Sequence, residues 1–245
     1  MEQVKRDIVA YWTDRAAGFA DLRIREFHSD LHLRWLDEIE PVLAAAFGDR
    51  RPLRVLDIGT GTGFFALLLA SRGHEAVGID ITQAMIDEAR SIASDMGASA
   101  RFLTMDAEAP MLEPASFDAI VTRNLTWGLP HLERAYRAWH GLLAPGGVLI
   151  NFDADYCREN DARGGAPLPS CGAHKGLSAK TMGNYERIKG ELRPLQKPRP
   201  LWDAELLRAA GFSQIEVDDR VYQRIYRQED EFYNPTPIFK ITACA

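Results

Sequence analysis

Cysteine is scarce in this chain: three among 245 residues, Cys157, Cys171 and Cys244, all in the second half. So few, so late, cannot form a disulfide framework, and a reducing cytoplasm is the expected location. Long apolar runs are missing as well. The longest, residues 64–70, is too short to cross a bilayer, and charges are scattered through the first 30 residues. Neither a membrane span nor a signal peptide is expected. Positive charge is not in excess either. Lysine and arginine number 29 against 35 acidic residues, a net charge of −6, and no basic run is long. That balance argues against nucleic acid as the main partner, because phosphate binding needs a basic face. Repeats and low-complexity tracts are also lacking. What remains is a globular composition, 46% hydrophobic and 26% charged, in a chain longer than a single wound α/β domain usually needs. The surplus must lie somewhere.

The first 50 residues read as helices. Leu33, Leu36, Ile39, Val42, Leu43 and Ala46 fall at helical spacing, and Ile8, Tyr11, Trp12 and Phe19 give an earlier helix one apolar face. A break is expected at Gly18, and Pro41 is expected to kink or divide its helix. From Leu53 the pattern changes. Short apolar strands at 53–58, 76–79, 100–104, 117–122 and 147–152 alternate with helices at 64–72, 83–96 and around Leu132 to Leu143. Such alternation implies βαβ units and a parallel sheet. Residues 153–200 are rich in glycine and proline, with one helix expected near 178–189. A helix at 202–210 and strands at 213–217 and 238–243 complete the chain.

The chemistry begins at Val55-Leu-Asp-Ile-Gly-Thr-Gly-Thr-Gly63, a buried strand running into a glycine turn and then a helix. Glycines let a ligand approach the main chain, and the helix start offers free N–H groups. Asp80 ends the second strand, 21 residues after Gly59, where a carboxylate can accept from both hydroxyls of a ribose. Loop and acid together point to an adenosine-containing cofactor. A dinucleotide would call for Gly-x-Gly-x-x-Gly, yet Phe64 stands where the third glycine should be. Asp57, two residues before the loop, would repel a pyrophosphate and welcome an ammonium group.

These residues resemble the first motif of the class I S-adenosylmethionine-dependent methyltransferases, with Asp80 matching their ribose-binding acid. Further segments match in order: Leu103-Thr-Met-Asp106-Ala-Glu, Phe117-Asp-Ala-Ile-Val-Thr-Arg-Asn124 and Leu142-Leu-Ala-Pro-Gly-Gly-Val-Leu-Ile150. The opening Tyr11-Trp-Thr-Asp-Arg-Ala is similar to the branch that includes ubiquinone and menaquinone methyltransferases. The resemblance implies a Rossmann-like α/β fold, a seven-stranded mostly parallel sheet of order 3-2-1-4-5-7-6 with helices on both faces. It implies S-adenosylmethionine as cofactor, S-adenosylhomocysteine as product, and a small organic molecule as methyl acceptor. The cofactor residues it implies are Asp57, Gly59, Thr60, Gly61, Gly63, Asp80, Ile81, Met85, Asp106, Ala107, Asn124 and Leu125.

One domain is expected over 1–245: a helical cap at 1–50, the cofactor core at 53–152, a lid insertion at 153–200, and a final helix and strand pair at 201–245. A monomer or homodimer fits that size. Methyl transfer from a sulfonium mainly needs alignment and exclusion of water, with a base only if the acceptor must lose a proton. Asp153 and His131 are the candidate bases. The structural alternatives are an arginine pair or helix cap for Asp153 and a helix start for His131. Tyr11, Trp12, Trp127 and Tyr156 are the candidate acceptor contacts. The basic stretch 175–199 reads as solvated surface, with attraction of an anionic acceptor as its functional alternative. Cys157, Cys171 and His174 lack metal-site spacing, so no metal is expected, and a thiolate-assisted metalloid methyltransferase is a minor alternative. An NAD-linked oxidoreductase and a non-catalytic S-adenosylmethionine-binding subunit are the other rivals.

Overall fold

The computed structural model describes residues 2–162 and 176–245. Two helices open it, α1 (Glu2–Phe27) and α2 (Leu31–Phe47). Neither expected break occurs. Val4, Tyr11 and Leu22 keep one stripe of α1 buried and Ala20 packs on another side, while Gly18 is exposed with nothing near its missing Cβ and costs only its weak propensity. Pro41 lies inside α2, with both its ring and the Asp37 carbonyl it leaves unpaired on the exposed side. Water can serve that carbonyl, so the helix continues.

Then come β1 (Arg54–Ile58), α3 (Phe64–Ser71), β2 (Glu75–Asp80), α4 (Gln83–Met96), β3 (Arg101–Thr104) and β4 (Phe117–Arg123). They are followed by α5 (Leu132–Leu142), β5 (Leu143–Asp153), α6 (Glu159–Ala162), α7 (Ala179–Leu192), α8 (Leu201–Ala210), β6 (Ser213–Asp218), α9 (Val221–Ile225) and β7 (Phe239–Cys244). The seven strands lie in the order β3-β2-β1-β4-β5-β7-β6, as the family resemblance implies. Strands β1 to β5 pair in parallel, and β7 runs antiparallel to both its neighbours.

Side chains alternate between two cores. Val55, Val121, Ile150 and Phe152 pack with Trp35 of α2, whereas Leu56, Ile58, Ile120 and Leu149 pack with Trp139 of α5. Both faces are covered, so the strands read as continuous apolar runs rather than as polar and apolar alternation. Trp35 and Trp139 are each fully buried. The parallel strands all end on one side, and α1 lies across that side. Lys5 reaches Asp106 at 2.7 Å, and Arg187 of α7 binds Asp7 at 2.6 Å. Tyr11 stacks on Tyr185 of α7 with ring centroids 6.0 Å apart. Among the described residues, no helix is long and apolar enough to cross a membrane.

Candidate active site

A cavity opens at the carboxyl ends of β1, β2 and β4, the place where wound α/β sheets bind ligands. Its first wall is the turn after β1. Gly61 has φ +53°, and a Cβ there would meet only Phe19 at 3.7 Å, so the main chain is open to a ligand. Asp57 holds that turn: its Oδ2 accepts from Thr60 Oγ1 at 2.6 Å and from Ala66 N at 3.0 Å. Burial pushes the Asp57 carboxyl up to about 7, because the charged form loses its water. Asp80 accepts from Gly61 N at 3.0 Å and Thr82 N at 2.8 Å, and burial raises its pKa as well. A carboxylate has about four lone-pair sites. Asp80 lines the cavity, with acceptor capacity beyond these two bonds. Asp106 accepts from Glu108 N at 2.9 Å and pairs with Lys5.

The opposite wall is aromatic. Trp127 meets Tyr156 and Tyr185 edge to face, with centroids 5.5 and 5.7 Å away. Asn124 joins the two walls in a left-handed conformation, φ +54°. Its Oδ1 accepts from Tyr156 Oη at 3.0 Å, its carbonyl accepts from Trp127 Nε1 at 3.1 Å, and Asn234 Nδ2 donates to the same tyrosine oxygen at 2.7 Å. The turn is thus fixed by three side chains.

Asp57, Gly59, Thr60, Gly61, Asp80, Ile81, Met85, Asp106, Ala107, Asn124 and Leu125 all line the cavity, and so do Tyr11, Trp12, Trp127 and Tyr156. Three candidates do not. Gly63 starts α3 with φ +90°, and a Cβ there would strike Phe102 at 2.9 Å, so it shapes the turn without touching a ligand. His131 precedes α5 with its ring exposed; its backbone N–H donates to Glu108 Oε1 at 2.6 Å and its carbonyl accepts from Ala135 N at 3.1 Å. The structure places it as a helix start, outside the cavity wall.

Asp153 is the larger correction. It is fully buried, accepts from Trp127 N at 3.0 Å, Thr126 Oγ1 at 2.5 Å and Ala154 N at 2.7 Å, and faces Arg199 at 3.5 Å. With its acceptors engaged and outside the residues that line the cavity, it holds the N–H of Trp127. The basic stretch 175–199, where it is described, is partly exposed, as at Lys180, Arg187, Arg193 and Lys197, and partly buried, as at Lys189 and Arg199. Arg187, Lys189, Arg193 and Lys197 each have an acidic partner, and Arg199 is buried between Asp153 and Asp203. Cys157 is buried, with its thiol pushed up to about 12 by desolvation, which makes it a poor thiolate. Cys171 and His174 lie outside the described residues, among which no group of metal-ligating side chains occurs.

Several wall residues have no counterpart among the sequence candidates. Arg15, Phe19 and Arg23 come from α1, Arg123 from the end of β4, and Tyr226, Phe232 and Tyr233 from the segment before β7. The aromatic density of that last segment was the signal available.

The known proteins this chain is similar to agree with the geometry. A methyltransferase domain family matches residues 55–147, the stretch that builds the glycine turn, Asp80 and Asp106. Demethylmenaquinone methyltransferase of Thermus thermophilus is 38% identical over 104 residues, 42% of this chain and 47% of that protein. Ubiquinone biosynthesis O-methyltransferase of Pseudomonas aeruginosa is 30% identical over 140 residues, 57% of this chain and 56% of that protein. The chain therefore spans about half the length of the curated relatives it matches. Among solved structures, the PH0226 protein of Pyrococcus horikoshii superposes with a TM-score of 0.60 at 20% identity, covering 89% of this chain and 93% of that one. Phosphoethanolamine N-methyltransferase 2 of Haemonchus contortus, solved with S-adenosyl-L-methionine, gives 0.58 at 18% identity, covering 85% and 52%. Residues 55–147 are thus similar to a methyltransferase domain, and the sheet order and glycine turn agree with that likeness.

Proposed function

We propose that the chain transfers a methyl group from S-adenosylmethionine to a small organic acceptor by direct displacement at the sulfonium carbon. One observation carries this reading. The cavity has two chemically unlike ends, one lined by Asp57, Asp80 and Asp106 around an open glycine turn, the other by aromatic rings with no carboxylate. The acidic end suits an adenosine and an ammonium group, and the aromatic end suits an organic acceptor and keeps water out. When bound, the cofactor supplies an activated methyl group on a good leaving group. In this chain Asp80 would hold the ribose, Asp106 the adenine amino group and Asp57 the ammonium. The Asn124 turn would fix the reacting centre against Trp127 and Tyr156.

Quinone chemistry appears in the names of the two curated relatives, which supports a small organic acceptor and not yet a particular one. The reading includes no nucleic-acid partner, a monomer or homodimer, and a cytoplasmic location, in keeping with an acidic chain of three cysteines. It treats residues 1–245 as one unit, with α1 and α7 as the cover of the acceptor end. Incubation with methyl-labelled S-adenosylmethionine and a cell extract should yield a labelled product of low mass. Calorimetric binding of NADH without binding of S-adenosylhomocysteine would reject the reading in favour of an oxidoreductase.

Asp57 adds a pH dependence. An ammonium placed against it favours the carboxylate, so binding below pH 7 must first remove the proton that burial retains. Affinity for S-adenosylhomocysteine should rise about five- to ten-fold between pH 6 and 7.5, with proton release on binding. Calorimetry in buffers of different ionisation heat measures both, and a flat profile without proton release would remove Asp57 from the ammonium site.

A further inference from the structure

In the cavity wall, two guanidinium groups share one carboxylate. Arg23 and Arg123 both line the cavity, each with a side chain only 10% exposed. Between them stands Glu26, fully buried, which pairs with Arg23, lies 2.9 Å from Arg123 Nη1, and accepts from Trp35 Nε1 at 2.8 Å. The local balance is one positive charge, and Arg15 lines the same wall about two turns before Arg23 in α1. Arg123 is incompletely satisfied. Its plane stacks over Trp35 at 4.1 Å, its Nη2 reaches Tyr226 Oη only at 3.5 Å, its Nη1 has only the ion pair with Glu26, and its Nε makes no hydrogen bond. A buried guanidinium with unmet donors is costly to keep, which is a reason to look for what completes it.

Among the described residues, the aromatic wall of the cavity holds no base. Tyr11, Tyr156 and Tyr185 have their hydroxyls made less acidic by burial, and neither Asp153 nor His131 lines the cavity. An acceptor that needed deprotonation there would find no group among the described residues to take its proton. An acceptor that enters already ionised needs none.

We propose, on the methyltransferase reading, that the acceptor is bound as a flat organic anion whose charge is set against Arg23 and Arg123. The balance is simple. A lone pair of the acceptor attacks the methyl carbon, the carbon–sulfur electrons return to sulfur, and no proton has to leave a neutral nucleophile. Burial and the neighbouring Arg123 both weaken the hold of Arg23 on its proton, a cost that an arriving anion relieves. The aromatic walls supply stacking for a planar acceptor, and bidentate pairing is what guanidinium groups do best with carboxylates.

A second anion could claim these arginines, the methionyl carboxylate of the cofactor, so the test is made with that site filled. Protein saturated with S-adenosylhomocysteine is titrated with benzoate and with its neutral isostere benzamide, following tryptophan fluorescence. Benzoate should bind at least about ten-fold tighter. In Arg23→Gln the preference should fall below about two-fold, while affinity for S-adenosylhomocysteine stays within about two-fold of the parent. That variant is expected to fold, since Glu26 keeps Arg123 and Trp35 as partners. Arg123→Gln is the second variant. No anion preference in the parent, or a preference unchanged in both variants, overturns the proposal. So does a loss of S-adenosylhomocysteine affinity along with the preference, which would assign the arginines to the cofactor. Failure of the parent to bind S-adenosylhomocysteine at all would instead overturn the methyltransferase reading, and this proposal with it.

Discussion

Arg199→Met should destabilise the fold by about 3–5 kcal/mol, the usual cost of leaving buried charge without its partner. Arg199 is fully buried and donates from Nε to Asp203 Oδ2 at 2.8 Å and from Nη2 to Asp203 Oδ1 at 2.5 Å. It also reaches Thr126 Oγ1 at 2.5 Å, the Ala154 carbonyl at 3.2 Å, and Asp153 at 3.5 Å. Burial opposes its charge, but Asp203 and Asp153 outweigh that and raise its pKa well above the ordinary range. Removing the guanidinium strands two carboxylates with no exposed surface. Tyr136 Oη, which donates to Asp203 at 2.7 Å, and Asn151, which donates to Tyr136 at 3.2 Å, lose their anchor too. Urea unfolding followed by far-ultraviolet circular dichroism measures the loss. The triple change Arg199→Met, Asp153→Asn, Asp203→Asn should recover part of it, because the stranded charges go with the arginine. A loss under about 1 kcal/mol for the single variant would mean the cluster is not charged in the folded protein.

The cluster also touches function. Asp153 fixes the N–H of Trp127, and Arg199 holds the hydroxyl of Thr126 beside it. Any loosening reaches the acceptor wall directly. This is why an acid that ends a strand beside a candidate site can matter without ever touching a ligand.

Parity along β5 makes the correction at Asp153 intelligible. Val148, Ile150 and Phe152 point to the face of Trp35, so Asn151 and Asp153 must point with Leu149 to the face of α5 and α8. The strand was legible, and the two-residue period was enough to turn Asp153 toward Tyr136 and Asp203. Parity along β4 works the other way. Ala119 and Val121 face Trp35, which carries Arg123 to that face and into the cavity. The cofactor end was readable because its geometry is local: Asp57, Gly61 and Asp80 act through turns and strand ends within 24 residues of one another. The acceptor end was not, because it is assembled from α1, the Asn124 turn, Tyr156, α7 and Tyr226 to Pro235. Those pieces meet only through the tertiary fold. Lys189 shows the same limit, a basic residue in a basic stretch that is buried against Glu159 at 2.5 Å.

Asp80→Ala should weaken binding of S-adenosylhomocysteine by about 1–3 kcal/mol, roughly 5- to 150-fold, since hydrogen bonds to a charged acceptor lie in that range. The carboxylate ends β2 and spans the gap to the glycine turn, with Gly61 N on one oxygen and Thr82 N on the other. Its remaining lone pairs are the acceptors left for ribose hydroxyls. The variant removes those acceptors and also unties two backbone N–H groups, so an affinity loss alone would mix a direct effect with a loosened turn. Asn at this position does not separate them, because its amide nitrogen would face one of the two N–H donors. A cycle with a ligand lacking the 2′ and 3′ hydroxyls does separate them. If Asp80 holds the ribose, the dideoxy ligand should bind the parent protein more weakly by about the same 1–3 kcal/mol and bind Asp80→Ala as tightly as S-adenosylhomocysteine does. If Asp80 only ties the turn, deleting the hydroxyls will cost both proteins alike. Burial has already raised the pKa of this carboxyl, so the charge is expensive to keep without a ligand. An acid kept at that cost in the cavity wall is explained most simply by the two hydroxyls it would receive.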